Sequence, residues 1–206
     1  YADRVYRFNA SEESLLRSIA SQATAAIING RLRHEHAEAE RVKRQVEAAG
    51  ELQRRMLPAR PPIHPRLSFG CVYDPTLALG GDFYEFIERP DGRIMVAIAD
   101  VVGKGLPAAL LMSSIRATIH GYADQSDDLT WIVSRVNRRM CRDTLVSEFA
   151  TAVLGEFSAD GRAFTYCNAG HPPPLLLRND DIIELTAGGL VIGVNETAQG
   201  KEYLVA

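Results

Sequence analysis

Hydrophobic and polar positions follow two regimes along the chain. Up to about residue 57 the apolar residues recur at helical spacing; beyond it they gather into short runs separated by Gly, Pro, Asn and Asp. Leu15, Leu16, Ile19, Ala23, Ala26 and Ile27 form one helical stripe, so residues 11–57 read as a single long helix with Ser11 as N-cap and Glu12 and Glu13 in its electropositive first turn. From His34 to Arg55 the segment is dense in Glu, Arg, Lys and Ala. Ala39, Val46 and Gln53 fall at one heptad position, and Val42, Ala49 and Met56 at the other. That pattern suits a short parallel coiled coil or a charged connector helix supported by pairs such as Glu40 with Arg44. Pro58, Pro61, Pro62 and Pro65 end the helix.

The second regime alternates strands and helices. Leu67 to Tyr73 reads as a strand. Ile94 to Val101 reads as a buried strand reached through the Asp91-Gly92 hairpin signal. Residues 107–122 form a helix with Leu110, Leu111, Ile115 and Ile119 on one side, and residues 130–141 a second one turning Trp131, Val133, Val136 and Met140 inward. Strand pairs follow at 148–157 with 163–167, joined near Asp160-Gly161, and at 175–178 with 182–185, around Asn179-Asp180-Asp181. Strands, two helices and strands again predict α+β layers.

The candidate chemistry, Asp82 and Asp100, sits at the ends of what read as two neighbouring strands, one following Asp82 and the other Ile94 to Val101. The hairpin brings Asp100 close to Asp82. Two neighbouring carboxylates repel unless a proton or a hard divalent cation neutralises them. The alternative is structural: Asp82 in a turn and Asp100 capping the helix that starts near Leu106. Spacing alone leaves both open.

Composition narrows the classes. With 46% hydrophobic and 24% charged residues and a formal net charge of −3, the chain reads as globular, with no electrostatic signature for nucleic acid or a membrane surface. No apolar run approaches the roughly 18 residues of a membrane span. Cys71, Cys141 and Cys167 are odd in number and widely spaced, which predicts buried free thiols in a cytoplasmic protein. Arg135, Arg138, Arg139 and Arg142 read as a solvated helix face. The sequence begins at Tyr1 rather than Met and is expected to be a fragment.

Gly80-Gly81-Asp82-Phe83-Tyr84-Glu85-Phe86 and Asp100-Val101-Val102-Gly103-Lys104-Gly105-Leu106-Pro107-Ala108-Ala109-Leu110-Leu111-Met112 closely resemble signatures of the SpoIIE/RsbU-like branch of metal-dependent (type 2C) serine/threonine protein phosphatases. Phe149-Ala150-Thr151-Ala152, Asn168-Ala169-Gly170-His171-Pro172-Pro173-Pro174 and Gly188-Gly189-Leu190-Val191-Ile192-Gly193 add three motifs in the right order. Leu52 to Pro58 resembles the segment that opens this domain, and Leu16 to Leu32 the closing helix of a GAF sensor domain. The resemblance implies a GAF-like C-terminal segment over 1–33, a linker helix over 34–57, and a C-terminally truncated type 2C α/β sandwich over 58–206, with two sheets flanked by helices; the heptad pattern of the linker adds the expectation of a homodimer through that helix.

It also implies a site of two Mn²⁺ or Mg²⁺ ions and hydrolysis of phosphoserine or phosphothreonine on a regulatory protein, an anti-sigma factor antagonist. Asp100 would bridge the metals, with Asp82 and the Val101 carbonyl as further ligands. Gly103 and Gly105 would let the backbone turn sharply and approach the ions. Lys104 would attract phosphate or stay solvated; His171 would stand near the metals or be held in its turn by hydrogen bonds.

Val102 departs from the small residue usual at its position. The family's later metal-binding aspartates are not found before Ala206, so the fragment alone is expected to be weakly active or inactive. The rival classes are a phosphatase-like module that binds a phosphorylated partner without turnover, and a nucleotide enzyme. Against the latter, Asp100 to Met112 fits no diguanylate cyclase pattern, and Gly103-Lys104-Gly105 lacks the Walker spacing.

Overall fold

The computed structural model describes residues 7–145 and 147–205. Among the described residues ten elements follow one another: α1 (Ala10–Met56), β1 (Phe83–Glu88), β2 (Ile94–Val101), α2 (Leu106–Ala123), α3 (Leu129–Asp143), β3 (Ala150–Phe157), β4 (Phe164–Ala169), β5 (Leu175–Arg178), β6 (Asp181–Glu184) and β7 (Tyr203–Val205). The chain divides into two compact units, one ending at Gln45 and the other starting at Val46. No helix among the described residues is long and apolar enough to cross a membrane.

The first unit is helical. Its N-cap is Asn9 rather than Ser11. The Glu12 amide donates to Asn9 Oδ1 at 2.9 Å and the Asn9 amide to Glu12 Oε2 at 2.9 Å, a reciprocal capping box that Ser11, already inside the helix, cannot form. Leu15, Ile19, Ile27, Ile28 and Leu32 are all exposed.

In the second unit, α2 and α3 pack on one face of a five-stranded antiparallel sheet of order β1-β2-β3-β4-β7. The β-period puts Met95, Ala97, Ala99 and Val101 of β2 and Ala152 and Leu154 of β3 on that face. There they meet Met112, Ile115 and Ile119 of α2 and Ile132, Val136 and Met140 of α3. The predicted faces hold at Val133, Val136 and Met140 of α3 and at Ile115 and Ile119 of α2, but not at Leu110. Leu110 is exposed, because the inward stripe of α2 runs through Ala108, Met112, Ile115, Ile119 and Ala123, whose small members let the helix approach the sheet. In α3, Asp128 caps the helix by accepting from the Trp131 amide, and Trp131 is half-buried against Tyr122.

Leu67 to Tyr73 forms no strand. Leu67, Phe69 and Tyr73 keep the half-buried positions of an alternating segment, but no described strand is hydrogen-bonded to it. It packs through side chains instead, Phe69 lying edge-on to Phe86 and Phe157 at centroid distances of 5.4 and 5.6 Å. The second sheet is the β5–β6 hairpin, whose Asn179 and Asp180 both take positive φ as a tight primed turn requires. Strand β7, unforeseen, pairs with β4. Cys167 is buried, while Cys71 is exposed on the unpaired segment and Cys141 half-buried, so only one thiol has the expected burial.

Charge is buried in two places. Glu85, on the helix-packed face of β1, lies 2.5 Å from Arg116 and 3.0 Å from His120 of α2. At the far end of the sheet Arg89 donates to Glu156 at 2.9 Å and to the Ala123 carbonyl, while Arg93 reaches the other Glu156 oxygen at 2.6 Å. Replacing Arg89 with Met strips Glu156 of one of its two partners; we expect a loss of about 3 kcal/mol in urea unfolding, the lower end for breaking a buried pair. Adding Glu156→Gln should recover part of it.

Candidate active site

The antiparallel register of β1 and β2 pairs Phe83 with Ala99, and one step further it sets Asp82 against Asp100. Asp100 in turn is paired with Thr151 of β3. Two carboxyl groups set against each other in this way repel unless a proton or another cation offsets them. Partial burial and the neighbouring Asp100 carboxyl hold the Asp82 carboxyl above its ordinary range, and His171 opposes them.

His171 joins from the far side of β3. Thr151 Oγ1 lies 2.8 Å from His171 Nδ1. The His171 amide donates to Asn168 Oδ1 at 2.8 Å, and Asn168 Nδ2 donates back to the His171 carbonyl at 2.9 Å. Hydrogen bonds fix the turn of His171, as one of its two expectations has it, and the residue lines the same cleft of about 300 Å³ as Asp82 and Asp100. Burial keeps its imidazole below the usual histidine range, against the pull of Asp82.

The carboxylates also line a second cleft of about 390 Å³, walled by residues of the 75–82 and 100–104 loops. Gly81 lies between Gly80 and Asp82, where a Cβ would stand 2.6 Å from the Val101 carbonyl oxygen. Gly103 and Gly105 have the expected turn conformations, φ 102° and 74°, but open space around them. Lys104 is exposed on the rim. Asp100 does not cap α2, whose N-cap is Gly105 with no side-chain bond. The basic residues of α3 are engaged locally: Arg139 with Asp143, Arg142 with Glu196, and Arg135 over the Trp131 ring.

Asp82, Asp100 and the Val101 carbonyl offer oxygens, the chemistry that suits Mg²⁺ or Mn²⁺. Among the described residues no group of three or more His, Cys, Asp or Glu is arranged to hold a metal ion. The structure brings together Asp82, Asp100, Val101 and His171. Thr151 joins them unforeseen, although it lay in a recognised motif, because only the β2–β3 register reveals that it faces Asp100.

The sequence profile of the family described as stage II sporulation protein E (SpoIIE) matches residues 90–205. The chain belongs to the SpoIIE family. It is 30% identical over 164 residues to phosphoserine phosphatase RsbU of Bacillus subtilis (strain 168), covering 79% of this chain and 49% of the relative. The chain thus spans about half the length of that relative. Among solved structures, the SiaA-PP2C domain of Pseudomonas aeruginosa superposes with a TM-score of 0.67 at 23% identity, over 82% of this chain and 68% of that one. RsbX in complex with magnesium matches with a TM-score of 0.51 at 22% identity, over 62% and 60%. These likenesses establish the expected PP2C-type α/β fold for this member of the SpoIIE family.

Without divalent cations, the Asp82–Asp100 repulsion should destabilise the protein increasingly as pH rises from the ordinary aspartate value of 3.8 through the raised value of Asp82. Asp82→Asn should therefore raise the melting temperature in chelator at pH 7, with the gain shrinking as the pH is lowered. Added Mn²⁺ should stabilise the wild type more than the variant.

Proposed function

We propose that this chain carries the catalytic part of a metal-dependent phosphoserine/phosphothreonine protein phosphatase acting on a regulatory protein in bacterial signal transduction. The observation behind this reading is the facing pair Asp82 and Asp100, set beside the Val101 carbonyl in a member of the SpoIIE family. RsbU, to which the chain is similar, is described as a phosphoserine phosphatase.

Asp100 would bridge two Mn²⁺ or Mg²⁺ ions, with Asp82 and the Val101 carbonyl completing the ligands drawn from this chain. Bound there, the cations would lower the pKa of a shared water and offset charge on the phosphoryl oxygens. Thr151 holds His171 beside Asp82, where an imidazole kept neutral by burial can exchange hydrogen bonds with substrate or water without adding charge. Two carboxylates are few for two ions, so the chain alone should turn over slowly.

The substrate we favour is a phosphorylated anti-sigma factor antagonist in the cytoplasm. Residues 1–33 would end a GAF-like sensor, of which residues 1–6 lie outside the described part; 34–57 would be the linker helix, and 58–206 the phosphatase domain. A homodimer would form along the linker helix, where Ala39 and the half-exposed Val42 leave the seam open. The second reading, a module that holds a phosphorylated partner without hydrolysing it, draws on the absence of a third metal-binding carboxylate among the described residues.

The test is Mn²⁺-dependent phosphate release from a phosphoserine protein, in this chain and in any longer natural form containing it. Asp100→Asn should reduce release by more than the roughly 10–100-fold typical of losing an outer-shell partner of a metal site. Retained binding of the phosphoprotein with no release from any form would favour the binding module.

A further inference from the structure

Asp82 follows two glycines, and that raises the question of what holds it still. Gly81 has the widest backbone freedom of any residue type, so it transmits position poorly. The placement of Asp82 therefore depends on the anchors either side. On the C-terminal side the anchor is β1, beginning at the buried Phe83 paired with Ala99. On the N-terminal side no secondary structure is available, because residues 57–82 form neither helix nor strand.

The anchor there is the last part of α1. Gln53 is 4% exposed, and both ends of its amide are used on one residue: Nε2 donates to the Gly80 carbonyl at 2.8 Å, and the Gly80 amide donates to Oε1 at 3.0 Å. The side chain thus pairs with Gly80 as a neighbouring strand would, offering one donor and one acceptor at backbone spacing. One turn earlier the helix backbone touches the same loop, for a Cβ on Gly50 would stand 2.2 Å from the Ala78 carbonyl oxygen. On another side the Tyr73 hydroxyl closes over Gly80, 2.9 Å from where its Cβ would be. The loop 78–80 is thereby gripped two residues before Asp82.

We propose that Gln53 is a positioning residue for Asp82, fixing the carboxylate against Asp100 through Gly80. The proposal rests on Asp82 being a cation-binding carboxylate, as argued above. It also accounts for a polar residue within the apolar seam: the amide is turned to the loop within its own unit.

The test compares wild type, Gln53→Met, which keeps the volume but removes both bonds, and Leu52→Ala, a control at an exposed neighbour. Hydrogen–deuterium exchange is followed for residues 76–84 and for the β2–β3 ladder, and Mn²⁺ affinity is measured by titration well below the melting temperature. We expect Gln53→Met to speed exchange in 76–84 alone and to weaken Mn²⁺ binding about tenfold, the scale of losing outer-shell support at a metal site. Leu52→Ala should change neither. If Gln53→Met does not fold, Gln53→Glu, which keeps the acceptor for the Gly80 amide but cannot donate to its carbonyl, takes its place with the same expected direction. Unchanged exchange, a rise spread over the whole sheet, or a local rise with Mn²⁺ affinity intact would overturn the positioning role while leaving the phosphatase reading in place. A wild type that binds Mn²⁺ no better than Asp82→Asn would instead remove the reading of Asp82 as a ligand, and this proposal with it.

Discussion

Two carboxyl groups brought face to face at the end of an antiparallel hairpin set the terms for this domain. The register that buries Phe83 and Ala99 against the helices also makes Asp82 and Asp100 face each other. The same alternation that builds the core thus builds the acidic pair, and neither can be altered by a shift of register without the other. Around the pair, each neighbour answers a local need. Gly81 admits the Val101 carbonyl, Thr151 orients His171, and Asn168 ties the turn that presents it.

The buried ion pairs divide the remaining electrostatic work. Glu85 and Arg116 join β1 to α2 within the core layer, and Arg89, Arg93 and Glu156 join the first three strands at the opposite end from the acidic pair. Such pairs add little net stability when complete and cost much when broken. The cluster at Glu85 lies three residues beyond Asp82 along β1, so the element that carries one carboxylate is tied into the helix layer by charge as well as by Phe83.

Much of this was readable beforehand where local signals were strong. Asp91-Gly92 marked the β1–β2 hairpin, and the sequence motifs marked Asp82, Asp100 and Val101. The misreadings have physical causes. The face of α2 was misjudged at Leu110 because alanines at 108 and 123 do the packing that periodicity assigns to larger residues. Leu67 to Tyr73 has strand-like alternation, yet a strand exists only where a neighbour supplies a ladder. Gln53 looked like one more seam position, since nothing local announces that a glutamine bonds a backbone 27 residues away. Thr151 became visible only when the register of β2 and β3 was known.

The hairpin that joins the carboxylates also separates changes of residue from changes of length. Asp82 and Asp100 stand at its open end, while the turn at residues 90–93 is at the closed end. A residue inserted within either strand would rotate everything between it and the open end to the opposite face, delivering one carboxylate into the helix-packed layer. A residue added at the turn lies outside the ladder and leaves the facing pair where it is. Variation in loop length is therefore confined to one end of this hairpin, and the acidic end is protected from it by geometry alone.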